Sequence, residues 1–309
     1  MKLFDLHCDT IEELRNHGED FRHHTRQFAI DDIKYMEGAV QTMAVFVPDH
    51  IRGNAATEFV EDYDKYLRNE TLKIRDKAEL VEAIEDIDRI VASGRWAFLK
   101  SIESGACLNG RLELIDHFAA MNFKMLGLVW NGENELGSGP DTDKGLTAFG
   151  KAAVKRMEKA GMIVDCSHLN DHGFEDLLEI AEKPFVASHS NVRACCAHPR
   201  NLRDDQFQEL VKRRGLCGVN LFSKFLSDSD EKNQDSVFRH IYHMLELGGE
   251  DVIAWGTDFD GDITLAPELN RPAGLIHFSE YLKQRGIPQH VIDKLYYKNA
   301  HRFFQENVR

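Results

Sequence analysis

Basic residues are in short supply. Lys and Arg number 38 against 52 Asp and Glu, leaving a formal net charge of -14 over 309 residues. Nucleic acid and anionic membrane surfaces both need a basic partner face, so neither is expected to bind here. Long apolar runs are missing too, and nothing approaches the ~18 apolar residues of a membrane span. The opening MKLFDLHCDT has no apolar leader stretch and no small-residue cleavage site, and the closing HRFFQENVR has no lipid-anchor tail. A cytoplasmic protein is the expectation. The six cysteines, Cys8, Cys107, Cys166, Cys195, Cys196 and Cys217, form no C-x-x-C pair. A chain of this length buries a core without disulfides, so they read as small buried apolar side chains in a reducing compartment. No G-x-G-x-x-G follows the first apolar run, which removes the dinucleotide fingerprint. No repeat, linker or low-complexity tract divides the chain, so one domain over 1–309 is expected.

What the chain does have is a regular alternation. Eight short runs rich in apolar and β-branched residues recur: 3–9, 40–47, 96–103, 123–130, 162–168, 184–190, 216–222 and 251–259. Such runs, bounded by turn residues, suit parallel strands buried on both faces. Helical patterns lie between them, over 55–92, 110–121, 147–161 (with Gly161 as C-cap), 174–183, 204–215, 235–249 and 290–308. In the segment before 204 the residues Asn201 to Asp205 read as a helix start capped by an aspartate. Eight strands alternating with helices make an α/β fold, either a (β/α)₈ TIM barrel or an open doubly wound sheet. The count of eight, and polar residues at strand C-termini, favour the barrel. The Gly-, Asn- and Asp-rich stretch 131–146 reads as a long active-site loop.

The chemistry sits at the ends of the runs. The first closes on His7-Cys8-Asp9, and alternation places His7 and Asp9 on one face, with Leu3 and Asp5 below them. The third closes on Glu103, the fifth on His168 and the sixth on His189. One histidine at a strand end is usually structural; two on consecutive strands, with H-x-D and a glutamate, point to a shared metal site. A pair of divalent ions ~3.5–4 Å apart activates water and grips an oxyanion. Glu103 is the natural bridging carboxylate, His7 and Asp9 completing one site, His168 and His189 the other. Nitrogen and carboxylate donors suit two Zn²⁺, with Mn²⁺ or Co²⁺ as substitutes. Asp258, at the end of the eighth run, suits proton transfer beside an activated water, whereas Asp260 and Asp262 read as turn or cap residues. Arg193 and Arg200 follow His189, and an arginine there can clamp a carboxylate. His23, His24, His240 and His243 read as solvated or structural, and Lys100 faces away from the barrel mouth.

The segments FDLHCDT, SIES, NGENELGSG, GLTAFGKAAVKRMEKAGMIVDCSHLN, PFVASHSNVRACCAHPRNL, GVNLF and IAWGTDFDG run in order from residue 4 to about 261. Together they resemble the membrane dipeptidase (renal dipeptidase) family of zinc peptidases, in a soluble bacterial form. The resemblance implies a barrel with a binuclear zinc centre that hydrolyses dipeptides, including those with a C-terminal D-residue, by attack of a metal-bridging hydroxide, in a protein that is commonly a homodimer. It assigns His7, Asp9, Glu103, His168 and His189 as metal ligands and Asp258 as acid/base. Arg200 becomes the holder of the substrate's carboxylate. Trp130 stands where mammalian members carry a substrate-contacting histidine, and Phe222 where they carry a tyrosine; Asn131 is a partial substitute for the missing donor. The alternatives are another amidohydrolase-type binuclear hydrolase acting on a lactone, amide or phosphotriester, and a non-catalytic binding barrel. The first usually opens with H-x-H and bridges its metals through a lysine.

Overall fold

Each of the eight apolar runs becomes a buried parallel strand, and the strands close on themselves. The computed structural model describes residues 1–229, 232–261 and 264–308. Its strands are β1 (Leu3–Cys8), β2 (Ala39–Phe46), β3 (Ala78–Leu80), β4 (Trp96–Glu103), β5 (Phe123–Gly127), β6 (Ile163–Asp165), β7 (Val186–Ser190), β8 (Leu216–Val219) and β9 (Ile253–Trp255). The ring runs β1-β2-β4-β5-β6-β7-β8-β9 and returns to β1. It is a (β/α)₈ barrel. The extra strand, β3, lies within the stretch 55–92 expected to be helical. It pairs with the lower half of β4, Ala78 opposite Trp96, below the point where β5 joins at Lys100. That stretch is instead two helices, Asn54–Lys73 and Asp86–Ala92, with β3 between them.

Every barrel strand contributes to one buried cluster: Phe4 and Leu6, Val40, Ala97 and Leu99, Met125, Ile163, Val186, Leu216 and Ala254. This is the interior layer, closed at the N-terminal end by Phe303, Phe304 and the Ile84–Val91 segment. It makes the barrel a filled core rather than a pore. The second cluster is larger and packs the outer strand faces against the helices, with Trp255 against Phe278 and Tyr296, and Phe98 against Phe21 and Phe28.

The inward set corrects the reading of β1. Asp5 pairs with Trp255 and Gln41, which face outward, so Leu3 and Asp5 are not beneath His7. An irregularity between Asp5 and Cys8 shifts the register and switches the face, so His7 enters the barrel behind Phe4 and Leu6. A bulge inserts the extra residue that strict alternation does not allow for.

Helices Ala148–Ala160, Asp171–Ile180, Asp204–Arg213 and Gln234–Glu246 follow their predicted segments, and Gly161 is a left-handed C-cap. The cap before Asp204 is Arg203, not an aspartate. Its backbone N–H donates to Gln206 Oε1 at 2.9 Å, and Asp204 and Asp205 lie in the first turn, where the helix dipole favours acids. Three α-helices among the described residues have no predicted counterpart, the four-residue Ser223–Leu226 being one. Thr10–His17 is only two turns long, and Pro272–Gln284 carries its signal in a proline at the first position. Among the described residues no helix is long and apolar enough to cross a membrane.

Candidate active site

Two of the expected ligands stand where the strands end: β4 finishes on Glu103, and His189 is the penultimate residue of β7. Two other residues reach the mouth by a sharper route. His168 and Asp258 lie three residues beyond β6 and β9, both at positive φ (70° and 64°), and Asp260 follows at 66°. Non-glycine residues in this region are strained, and they persist where surrounding bonds hold them. Asp165 supplies such a hold. Its Oδ1 accepts from the backbone N–H groups of Ser167 and Ser188, both at 2.9 Å, and turns the chain toward His168. Asp5 does the same on the other side, accepting from Thr257 N (2.9 Å), Thr257 Oγ1 (2.5 Å) and Gln41 Nε2 (3.0 Å). Gly218 and Gly256 complete the frame: a Cβ on either would come within 1.9 Å of the Ser188 carbonyl oxygen.

The five predicted metal ligands converge. His7 Nε2 lies 3.3 Å from Asp9 Oδ2 and 3.5 Å from Glu103 Oε2. Glu103 Oε1 lies 2.8 Å from His168 Nε2 and 3.5 Å from His189 Nε2. The two oxygens of Glu103 therefore face two different triads, His7–Asp9–Glu103 and Glu103–His168–His189, each able to hold an ion. A third grouping joins Asp258 to His7 and His189. The donor set fits a metal pair on two grounds. His7 Nε2 and Asp9 Oδ1 are buried with no hydrogen-bond partner, a costly state for polar atoms. The outward nitrogens of two ligands are already committed as well. His168 Nδ1–H donates to Asn131 Oδ1 at 2.9 Å; His189 Nδ1–H donates to Ser188 Oγ at 2.8 Å, which donates to Asp165 Oδ2 at 2.5 Å. Both Nε2 atoms then present lone pairs 3.0 Å apart, an arrangement that a cation between them stabilises.

The electrostatics differ between the two triads. Burial alone would push the His7 imidazole down, but the carboxylates of Asp9 and Glu103 overcome it and hold it well above its ordinary value. Burial pulls His168 down to about 4, helped by Arg200, and holds His189 far below normal, helped by His7. Burial works to raise Glu103 too, yet His7, His168 and His189 together keep it well below the usual carboxylate range. The Glu103–His168–His189 side thus has the protonation states a divalent ion requires, whereas on the other side His7 is held protonated and burial raises Asp9, leaving a proton where an ion would sit.

Above the ligands opens a cavity of about 640 Å³. Eight of the ten predicted site residues line it: Asp9, Glu103, Trp130, Asn131, His168, Arg200, Phe222 and Asp258. His7 and His189 are buried behind them. Asp258 Oδ2 accepts from Asn220 Nδ2 at 3.0 Å, Oδ1 faces His7 at 3.8 Å, and burial raises its pKa. Arg200 is buried, its Nε lacks a partner, and its Nη2 makes only a 3.4 Å contact to the His189 carbonyl. Trp130 packs at a tilt between Phe46 (4.7 Å) and His168 (6.2 Å). Phe222 packs on Phe225 at 4.8 Å. Asn131, expected as a substrate donor, spends its side-chain oxygen on His168.

Other readings resolve in the same way. Arg193 is taken up by Asp171, at 2.8 and 2.9 Å, outside the cavity. Asp260 is a structural clamp, accepting from Thr10 Oγ1 (2.7 Å) and from Gln27 N and Phe28 N (2.5 and 3.2 Å). Asp262 lies outside the described residues. Lys100 points out of the barrel to Asp64, so it cannot bridge metals as the lysine of other amidohydrolases does. All six cysteines are free, five of them buried. Glu12, Lys224 and Phe225 also line the cavity, though no motif marks them, and so does His198, which lies in the segment PFVASHSNVRACCAHPRNL without a role assigned there. The available signal is positional, since each lies on a loop or helix directly after β1, β7 or β8.

A family model described as membrane dipeptidase (peptidase family M19) matches residues 1–309. A Klebsiella pneumoniae protein described as an uncharacterized protein in the pqqA 5′ region is 36% identical over 226 residues, covering 69% of this chain and 83% of that one. Among solved structures, dipeptidase AC, a metallo peptidase of family M19, matches with a TM-score of 0.93 and 26% identity, over 100% of this chain and 99% of that one. A metallo peptidase from Rhodobacter sphaeroides, liganded with a phosphinate mimic of the dipeptide L-Ala-D-Ala, matches with a TM-score of 0.92 and 24% identity, over 99% of each chain.

Proposed function

The chain belongs to the membrane dipeptidase family, whose members are metal-dependent peptide-bond hydrolases, and from that premise we propose a single-domain dipeptidase with a two-zinc centre, accepting C-terminal D-residues. The observation that carries the reading is Glu103, with one carboxylate oxygen toward His7 and the other toward His168 and His189. Bound there, two divalent ions supply an activated water and a Lewis-acid grip on the scissile carbonyl. His7 and Asp9 would hold one, His168 and His189 the other.

The remaining steps belong to the side chains of the cavity. Asp258 handles the proton. Asn220 holds one of its oxygens and the other faces His7, a position from which it can take the proton of the attacking water and deliver it to the leaving amine. Arg200 receives the substrate's C-terminal carboxylate, for which its unpartnered guanidinium edge is suited. Placing that buried charge near Asp258 favours two-residue substrates, because a longer chain would leave Arg200 unpaired. Trp130, with Phe46, walls the cavity and keeps water off the reacting bond. Tolerance of a D-residue is supported by the Rhodobacter sphaeroides relative, liganded with an L-Ala-D-Ala mimic. Six free thiols suit a reducing compartment, and a cytoplasmic location is part of the proposal.

The test is hydrolysis of a library of L-L and L-D dipeptides by metal-replete protein, with metal analysis of the same sample. Expected are dipeptide turnover, about two zinc ions per chain, and no turnover of lactones or phosphotriesters. Asp258→Asn is expected to keep its metal and lose about 1,000-fold in kcat. Full activity in that variant removes Asp258 from the reaction, and turnover of lactones alone replaces the dipeptidase reading.

A further inference from the structure

We propose that Glu12 is a specificity-determining carboxylate that binds a cationic group on the N-terminal residue of the substrate. The proposal rests on the dipeptidase reading and adds the other end of the substrate to it.

Glu12 lines the same cavity as the metal ligands and Arg200. Asp9 is the N-cap of helix Thr10–His17, and Glu12 is three residues on. Residues so spaced share a helix face, with about 5–6 Å between their Cβ atoms. Glu12 therefore stands one turn outward from the His7–Asp9–Glu103 triad, on the solvent side.

The other acids of this wall are engaged. Glu13 is held by Arg26 at 2.5 Å and faces His17 at 3.6 Å. Asp260 is held by Thr10, Gln27 and Phe28. Glu12 has a hydrogen bond from Asn16 and, among the described residues, no ion pair with lysine or arginine. It is half-buried, and burial, with the Glu103 charge added, pushes its carboxyl up to about 7. A cation beside it would restore the ionised form.

The second observation is Arg200, buried and with an unpartnered Nε. It follows β7, three strands around the ring from β1. The cavity thus has a free positive group on one side, a free negative group on another, and the metal ligands between. Lys224 adds to the positive side, while burial, with Arg200 beside it, holds His198 below its ordinary value and toward the neutral form. A zwitterion with its carboxylate on Arg200 and its cation toward Glu12 crosses the reacting centre in one orientation. The cation has two sources, the α-ammonium or a lysine or arginine side chain. The same ion pair serves both.

The experiment compares Glu12→Gln with the unaltered enzyme on three substrates: Lys-Ala, Ala-Ala, and lactoyl-alanine, in which a hydroxyl replaces the ammonium. A KM about tenfold higher for Lys-Ala alone, with kcat held, assigns Glu12 to the side chain. Equal rises for Lys-Ala and Ala-Ala, with lactoyl-alanine spared, assign it to the α-ammonium. Glu12→Asp is expected to recover part of either effect, and metal content should match in all forms. Unchanged constants, or an equal fall in kcat on all three substrates, overturn the proposal. An unaltered enzyme that hydrolyses none of the three refutes the dipeptidase reading itself.

Discussion

The floor and the rim of this cavity are built on opposite terms. On the floor, ligands are braced from behind: His168 by Asn131, His189 by Ser188 and Asp165, β1 by Asp5 against Thr257. On the rim, Arg200 and Glu12 keep charged atoms without ionic partners. The floor stands at or just past strand ends, whose positions the barrel hydrogen bonds determine. The rim stands on helices and loops that follow the strands. The difference separates chemistry from selection. Metal ions and a proton carrier need positions held closely, whereas a substrate brings its own charges and must find groups left open for them.

Removing the charge at Arg200 should give the largest effect on the rim. Arg200→Met is expected to cost about 100-fold or more in kcat/KM, most of it in KM, with metal content intact. Steady-state kinetics with metal analysis checks it. A loss of metal instead would place Arg200 on the floor and erase the distinction.

Ser188→Ala tests the floor from behind. It removes the hydroxyl that links His189 to Asp165 without touching a candidate ligand, and the affinity for the proposed zinc is expected to fall about 10- to 100-fold. Competition with a zinc chelator measures it. Unchanged affinity would mean that the imidazole is oriented by packing alone.

The smallest effect concerns the support of the rim. His240 accepts from Val192 N through Nδ1 at 3.3 Å and donates from Nε2 to the Leu226 carbonyl at 3.1 Å, tying the Arg200 segment to that of Phe222 and Phe225. Burial pulls its pKa down to about 4. The unfolded chain therefore binds this proton first as pH falls, so stability is lost from about pH 6.5 downward toward 4, amounting to about 1 kcal/mol by pH 5.5. His240→Gln should flatten that part of the acid limb in denaturant titrations at pH 7 and 5.5. An unchanged slope would show that the folded protein accepts the proton there.

Much of the floor is legible in the sequence. The H-x-D pair, the lone Glu103 and the two histidines each close an apolar run, and a barrel brings such ends together by construction. The helix Thr10–His17 is less visible, being two turns long, and Glu12 is hidden with it. The rim gives weak signals in general: Lys224 and Phe225 belong to no motif, His198 sits in one without a role of its own, and what sets them apart is the cavity they face. Asn131 enters only through the resemblance, as a partial substitute for a donor missing at Trp130, and its bond to His168 through the side-chain oxygen is a contact that sequence does not show.

Periodicity and composition alone determined the eight strands of the barrel, the alternating α/β architecture and the identity of the candidate metal donors, because strand burial and ligand chemistry are properties of short segments. Tertiary structure alone decided that β1 changes face between Asp5 and Cys8, that Glu103 turns one oxygen to each triad, and that Arg200 and Glu12 stay without ionic partners. Those are matters of register, distance and partner, set by residues far apart in the chain, and no local pattern encodes them.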